Sequence, residues 1–226
     1  MKKIIILLFL FAAVIASANE YYSAKIKFLD GDVKEGYAEL PSNQLLDNAI
    51  KFKESEKGKL IRYDFDIIQY IIYHTDSGKE YLFEWKNIKS IYGSKKNPKE
   101  SNPTIKYWSL VAFANPAIKC YRTADVYYID EEEEIQFIIK NNIGLASVSI
   151  SFLRPNEEVP TMITSSNMES QNMLGRESKF RKSAAYYFKD IPELVKRIDN
   201  KELKAENIGE LLKAYLVYME NQNSKK

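Results

Sequence analysis

Apolar and polar residues alternate with a period of two along most of the chain, and the period changes near its end. Tyr22, Ala24, Ile26 and Phe28 interleave with Ser23, Lys25 and Lys27, which predicts a half-buried strand. Asp30-Gly31 follows, a pair suited to a tight hairpin because glycine takes positive φ without steric cost. Val33 to Leu40 then predicts the return strand, "PSNQLLDN" a loop, and "AIKFKE" a short strand. "IIQYIIYH", Ile67 to His74, is almost wholly apolar and reads as a central strand buried on both faces. "TDSGKE" turns the chain into the alternation of Tyr81, Phe83 and Trp85. "YGSKKNPKESNP", Tyr92 to Pro103, holds two prolines and reads as a linker.

Beyond it, "YWSLVAF" and "AIKCYR" flank an Asn115-Pro116 turn. "VYYI" and "IQFII" flank the acidic run Asp130 to Glu134, and Val148, Ile150 and Phe152 alternate with serines. About ten strands joined mainly by hairpins predict antiparallel pairing. Pro155 to Arg176 shows neither period and reads as a long polar loop.

From Ser178 the spacing is helical. "SKFRKSAAYYF" predicts a first helix. "DIPELVKRI" predicts a second, with Asp190 as cap, Glu193 completing a capping box and Pro192 in the first turn. A third is expected over about Ala205 to Glu220, where Ile208, Leu211, Leu212, Tyr215, Leu216 and Met219 form one stripe that docks on the chain's own core.

The expected fold is therefore α+β: an antiparallel β-rich body with a C-terminal element of two to three helices. The expected division is a β sub-domain over 19–97, a second over 104–153, a mobile polar loop over 154–177 and helices over 178–220. The first hairpin and the short strands after it are similar to an SH3-like small barrel.

The first eighteen residues form a segment of another kind. Lys2 and Lys3 precede an unbroken apolar run from Ile4 to Ile15, and Ala16-Ser17-Ala18 supplies small residues. That is the pattern of a secretory signal peptide cleaved between Ala18 and Asn19. Twelve apolar residues fall short of the roughly 20 that span a bilayer. The expected location is periplasmic or secreted, with no stable membrane span after cleavage.

Cleavage also changes the charge. The chain carries 33 Lys plus Arg and 31 Asp plus Glu, a net of +2. The surplus is Lys2 and Lys3, so the remainder is balanced and offers no basic field for nucleic acid. Cys120 is the only cysteine, which rules out an internal disulfide. "AIKCYR" places it beside Ile118 on one strand face, as a buried thiol.

Little in the chain suggests catalysis. Gly31 and Gly36 have the glycine spacing of a Walker A loop, but Tyr37-Ala38 stands where Lys and Ser/Thr are needed. Asp30 and Asp32 fall far short of the six to eight oxygens calcium takes. "DEEEE" lacks the alternating ligands and central glycine of an EF-hand and reads as a solvated hairpin tip. His74 is the only histidine, with no imidazole partner for a metal and no G-x-S-x-G motif beside it. No G-x-G-x-x-G points to a dinucleotide. No catalytic, cofactor-binding or metal residue is assigned, no cofactor is expected, and the balance leans against an enzyme.

Several stretches together resemble a loose group of exported bacterial proteins of unknown function: "GDVKEGYAEL", "IKFKE", "YDFDIIQYII" and "YYFKDIPELVKRIDNKELKAENIGELLKAYL". The resemblance implies export and a strand-rich body with a helical end, and it implies no site residues. This chain departs from that group's Cys-Pro start of the penultimate helix, having Ile191-Pro192. The expectation is an interaction or structural protein of the bacterial cell envelope, with an unidentified envelope protein or glycan as partner. The alternative, suggested by the many tyrosines and tryptophans, is a carbohydrate-binding protein or a carboxylate-dependent glycosidase.

Overall fold

The structure, a computed structural model, describes residues 21–138, 147–167 and 173–224. The leader and its cleavage site at Ala18 and Asn19 lie outside the described residues. The strands of the first half are β1 (Tyr21–Phe28), β2 (Val33–Glu39), β3 (Ala49–Lys53), β4 (Ile61–Asp64), β5 (Ile68–His74), β6 (Glu80–Asn87), β7 (Lys89–Ser94) and β8 (Asn97–Glu100). Those of the second are β9 (Lys106–Asn115), β10 (Ile118–Thr123), β11 (Val126–Ile129), β12 (Ile135–Ile138), β13 (Ser147–Leu153) and β14 (Thr161–Asn167). Helices α1 (Met173–Tyr187), α2 (Pro192–Asp199) and α3 (Ile208–Asn223) complete the chain. The α+β expectation holds: a large, mainly antiparallel sheet carries three C-terminal helices. Among the described residues no helix is long and apolar enough to cross a membrane.

Twelve strands join in the order β4-β3-β2-β1-β5-β6-β9-β10-β13-β14-β7-β8. The first five, with a 3-10 turn at Phe65–Ile67 between β4 and β5, form one antiparallel run in the order β4-β3-β2-β1-β5. Gly31 sits at φ +99° in the first hairpin, so "DGD" is a turn, as expected. Gly36 has another role. A Cβ there would lie 2.3 Å from the Lys53 carbonyl oxygen and 2.6 Å from the Phe52 ring, so only glycine lets β3 approach.

Several expectations are corrected. The sheet runs unbroken through the expected boundary, because β6 pairs with β9 through Phe83↔Leu110 and Trp85↔Trp108. The "linker" contains the β7–β8 hairpin, which turns at Lys95-Lys96, with Gly93 at φ +79° opposite Pro98. Pro98 is tolerated there because β8 is an edge strand, where a missing N–H leaves no neighbour unpaired. Residues expected to form a polar loop instead form β14, antiparallel to β13, and the start of α1. Thr161 and Ile163 are buried, and β-branched side chains suit a pleated surface whether polar or not. Strand β5 is central, between β1 and β6, but buries mainly Ile68, Ile71 and Tyr73 while Gln69 is exposed. The residues this strand buries all face one core, shared with β1, β3 and β6.

β6 and β7 are separated by Ile88 alone. β6 pairs with β9 and β7 pairs in parallel with β14, so the path β6-β9-β10-β13-β14-β7 returns to its own start. This curls the second half into a closed unit. Ser149 and Ser151 are buried there, although β13 alternates serine with apolar residues, and so is Ser109 on β9. Two cores result. One lies among the strands of the first half and reaches Trp108, Leu110 and Tyr127. The other lies between β10, β13 and β14 and the helices, which cover Ile118, Cys120, Phe152 and Ile163. The α3 stripe docks here through Ile208, Leu211 and Tyr215, as expected.

Candidate functional site

The side chains with the most chemical potential are bound into the fold. Glu84 on β6 is 8% exposed. Its carboxylate accepts from Lys119 Nζ at 2.9 Å and from the Tyr121 hydroxyl at 2.8 Å, both on β10. Burial alone would raise its pKa, but the bonds from Lys119 and Tyr121 outweigh it and hold the carboxyl below its ordinary value. The Tyr121 hydroxyl is pushed well up by burial and by Glu84. A carboxylate held ionised by two fixed donors is a poor general acid or base at neutral pH.

Cys120 is buried as expected, and burial pushes its thiol up to about 12. His74 ends β5, where Nδ1 lies 3.3 Å from Glu80 Oε1 across the hairpin. Asp190 does not cap α2. The N-cap is Ile191, and Asp190 instead receives both its bonds from Arg154 Nη1, at 3.0 and 2.8 Å. The Arg154 guanidinium lies over the rings of Tyr187, Phe188 and Tyr215, so the charge pair fixes β13 against the helices.

The acidic run, expected to be a solvated tip, docks on the β5–β6 hairpin. The Lys79 ammonium donates to the Glu132 carbonyl and to Glu134 Oε1, each at 2.7 Å, and Tyr81 donates to the Glu133 carbonyl at 2.6 Å. The Ser77 hydroxyl and backbone N–H both donate to Glu133 Oε2. The tip therefore clasps one hairpin to another.

Most aromatic rings are core. Trp108 is fully buried, and Trp85 lies against it at a centroid distance of 5.3 Å. The exposed rings Tyr92, Phe113 and Tyr128 stand on three different strands. A groove of about 380 Å³ between α2 and α3 has an apolar floor that includes Leu194 and Val217. Its rim carries both signs, Glu193 and Glu210 with Arg197 and Lys213, so charge selects no partner there.

A different surface gathers exposed apolar side chains. The loop after β2 is pinned by Asn43, whose Nδ2 donates to the Trp108 carbonyl at 2.9 Å and whose Oδ1 accepts from Trp108 N at 2.7 Å. Its backbone N–H also donates to the Asp125 carbonyl at 2.8 Å. From this base the chain makes a turn closed by Asp47 N to the Gln44 carbonyl at 3.0 Å. Leu45 and Leu46 occupy its apex, 96% and 92% exposed. The 3-10 turn ties this loop to the first hairpin: Phe65 N donates to the Asn48 carbonyl and Leu29 N to the Ile67 carbonyl, each at 2.9 Å. Leu29, Val33 and Ile67 are exposed as well. Sequence reasoning passed over these residues, since "PSNQLLDN" shows two adjacent leucines in a turn but not what lies beside them.

Comparison with protein-family models, with curated proteins and with solved structures finds no match for this chain.

Proposed function

We propose that this chain is an exported, non-catalytic interaction protein of the bacterial cell envelope. The single observation behind the reading is the surface built by the loop after β2, the 3-10 turn and the first hairpin. It holds Leu29, Leu45, Leu46 and Ile67 exposed on a hydrogen-bonded base. Scattered exposed apolar residues are ordinary, but apolar residues grouped on one surface are characteristic of association sites. The polar clusters, by contrast, are occupied in holding strands and helices together. The basic start, apolar run and small residues of the leader support export.

Crosslinking of the purified protein in envelope extract tests the reading. A stoichiometric protein partner is expected, and Leu45→Ser/Leu46→Ser is expected to abolish its capture without lowering the melting temperature. Saturable binding to cell-wall glycans, with no protein captured, would overturn it.

A further inference from the structure

We infer that the partner of the Leu45–Leu46 surface is a basic polypeptide segment that places lysine or arginine beside apolar side chains. This rests on the reading of that surface as an association site and adds the chemistry of what it binds.

The three segments that build the surface are 29–32, 41–48 and 64–67. They contain Asp30, Asp32, Asp47, Asp64 and Asp66, and no lysine or arginine. The rest of the chain carries 33 Lys plus Arg against 26 Asp plus Glu, so the excess of acid in these segments runs against the remainder, although the Lys27 ammonium reaches the Gly31 carbonyl from just outside them. All five aspartates are exposed. Asp66 is partly neutralised by Lys106 Nζ at 3.2 Å and also accepts from Trp85 Nε1 at 3.2 Å. Asp30 Oδ1 accepts the backbone N–H of Asp32, and Lys27 Nζ donates to the Gly31 carbonyl between them. Among the described residues Asp47 and Asp64 have no ion pair, and they are the two aspartates closest in sequence to the points where the 3-10 turn meets the leucine loop.

These carboxylates do not form a cation site, because among the described residues no three acidic, histidine or cysteine side chains come together as ligands. Asp47 instead directly follows Leu45 and Leu46, and Asp64 lies opposite Ala49 at the foot of the same loop. An apolar centre within a charged rim is the usual anatomy of a protein interface, and the sign of the rim selects the partner's charge. A negative rim also repels anionic phospholipid, which disfavours a membrane as the occupant.

The test uses fluorescence anisotropy with three synthetic peptides: one of leucine and lysine, one of leucine and glutamate, and one of serine and lysine. The leucine–lysine peptide is expected to bind saturably. Leu45→Ser/Leu46→Ser and Asp47→Asn/Asp64→Asn should each weaken it about tenfold, with unchanged melting temperatures, and only the aspartate variant should flatten its salt dependence. Equal binding of the leucine–glutamate peptide, binding indifferent to either variant, or preferential capture by anionic phospholipid vesicles would overturn the inference. The envelope crosslinks separate the two levels. Loss with the leucine variant but not the aspartate variant overturns the charge assignment alone. Retention in both overturns the association surface itself.

Discussion

Glu133 accepts the backbone N–H of Ser77 at 3.0 Å, joining two hairpin tips 56 residues apart. The Ser77 hydroxyl donates to the same carboxylate oxygen. Glu133 adopts φ +57°, the left-handed region, to present that carboxylate while its own N–H donates to the Asp130 carbonyl at 3.0 Å. Among the described residues the β11–β12 hairpin forms a two-stranded sheet of its own, and this clasp joins the Ser42–Val126 bridge, the Tyr127 hydroxyl bonds and the packing of Tyr127 and Phe137 in holding it to the first core.

The clasp makes stability depend on acid. Hydrogen bonds from Ser77 and Thr75 lower the Glu133 carboxyl from 4.5 to about 2. A depressed folded-state pKa means the contribution is complete above the unfolded value and is lost as pH falls through the folded one. Glu133→Gln is therefore expected to unfold at lower urea concentration than the natural chain at pH 7. The two midpoints should converge as pH falls from about 4.5 to about 2. A gap independent of pH would show that the carboxylate is not the group responsible.

Removing the carboxylate from the buried knot has a different consequence. Glu84→Ala leaves the Tyr121 hydroxyl without its acceptor and Lys119 without its counter-charge. The expected loss is about 1–3 kcal/mol by urea denaturation. Glu84→Gln keeps an acceptor for Tyr121 and should lose less.

Two glycines in one hairpin should respond unequally to an added methyl group. Gly36→Ala drives a Cβ into the Lys53 carbonyl and the Phe52 ring, and about 1–3 kcal/mol of destabilisation is expected. Gly31→Ala meets nothing within 4 Å and costs only its positive φ, about 1 kcal/mol. Thermal unfolding of the pair gives the ranking, and equal effects would contradict the close approach of β3.

Cys120 should be chemically silent. With the thiol pushed up to about 12 and its side chain in the helix-covered core, alkylation at pH 8 should proceed only as fast as the protein opens. Labelling by iodoacetamide in native buffer and in urea measures this, and rapid native labelling would mean the helices do not cover β10.

Much of this architecture is legible in the sequence because it is local. Period two in Tyr22 to Phe28, the Asp30-Gly31 turn and the apolar stripe of α3 each report on a few neighbouring residues. β14 was missed because Thr161 and Thr164 look polar, although both are buried. The Asp190–Glu193 spacing predicts a capping box, but Asp190 lies within reach of a guanidinium already packed on three rings, and the charge-assisted pair wins over a cap.

The sequence by itself determined which residues are strands, turns and helices over most of the chain, and that one cysteine would be buried. Only the tertiary structure decided that β6 lies beside β9 and β7 beside β14, which merges two expected sub-domains into one sheet. It alone carried the acidic tip onto Ser77 and Lys79 and tied the loop of Leu45 and the hairpin of Leu29 to one 3-10 turn. Alternation tells which side chains share a face. It does not tell which strand lies alongside, because that choice is made by hydrogen bonds and burial between segments far apart in the chain.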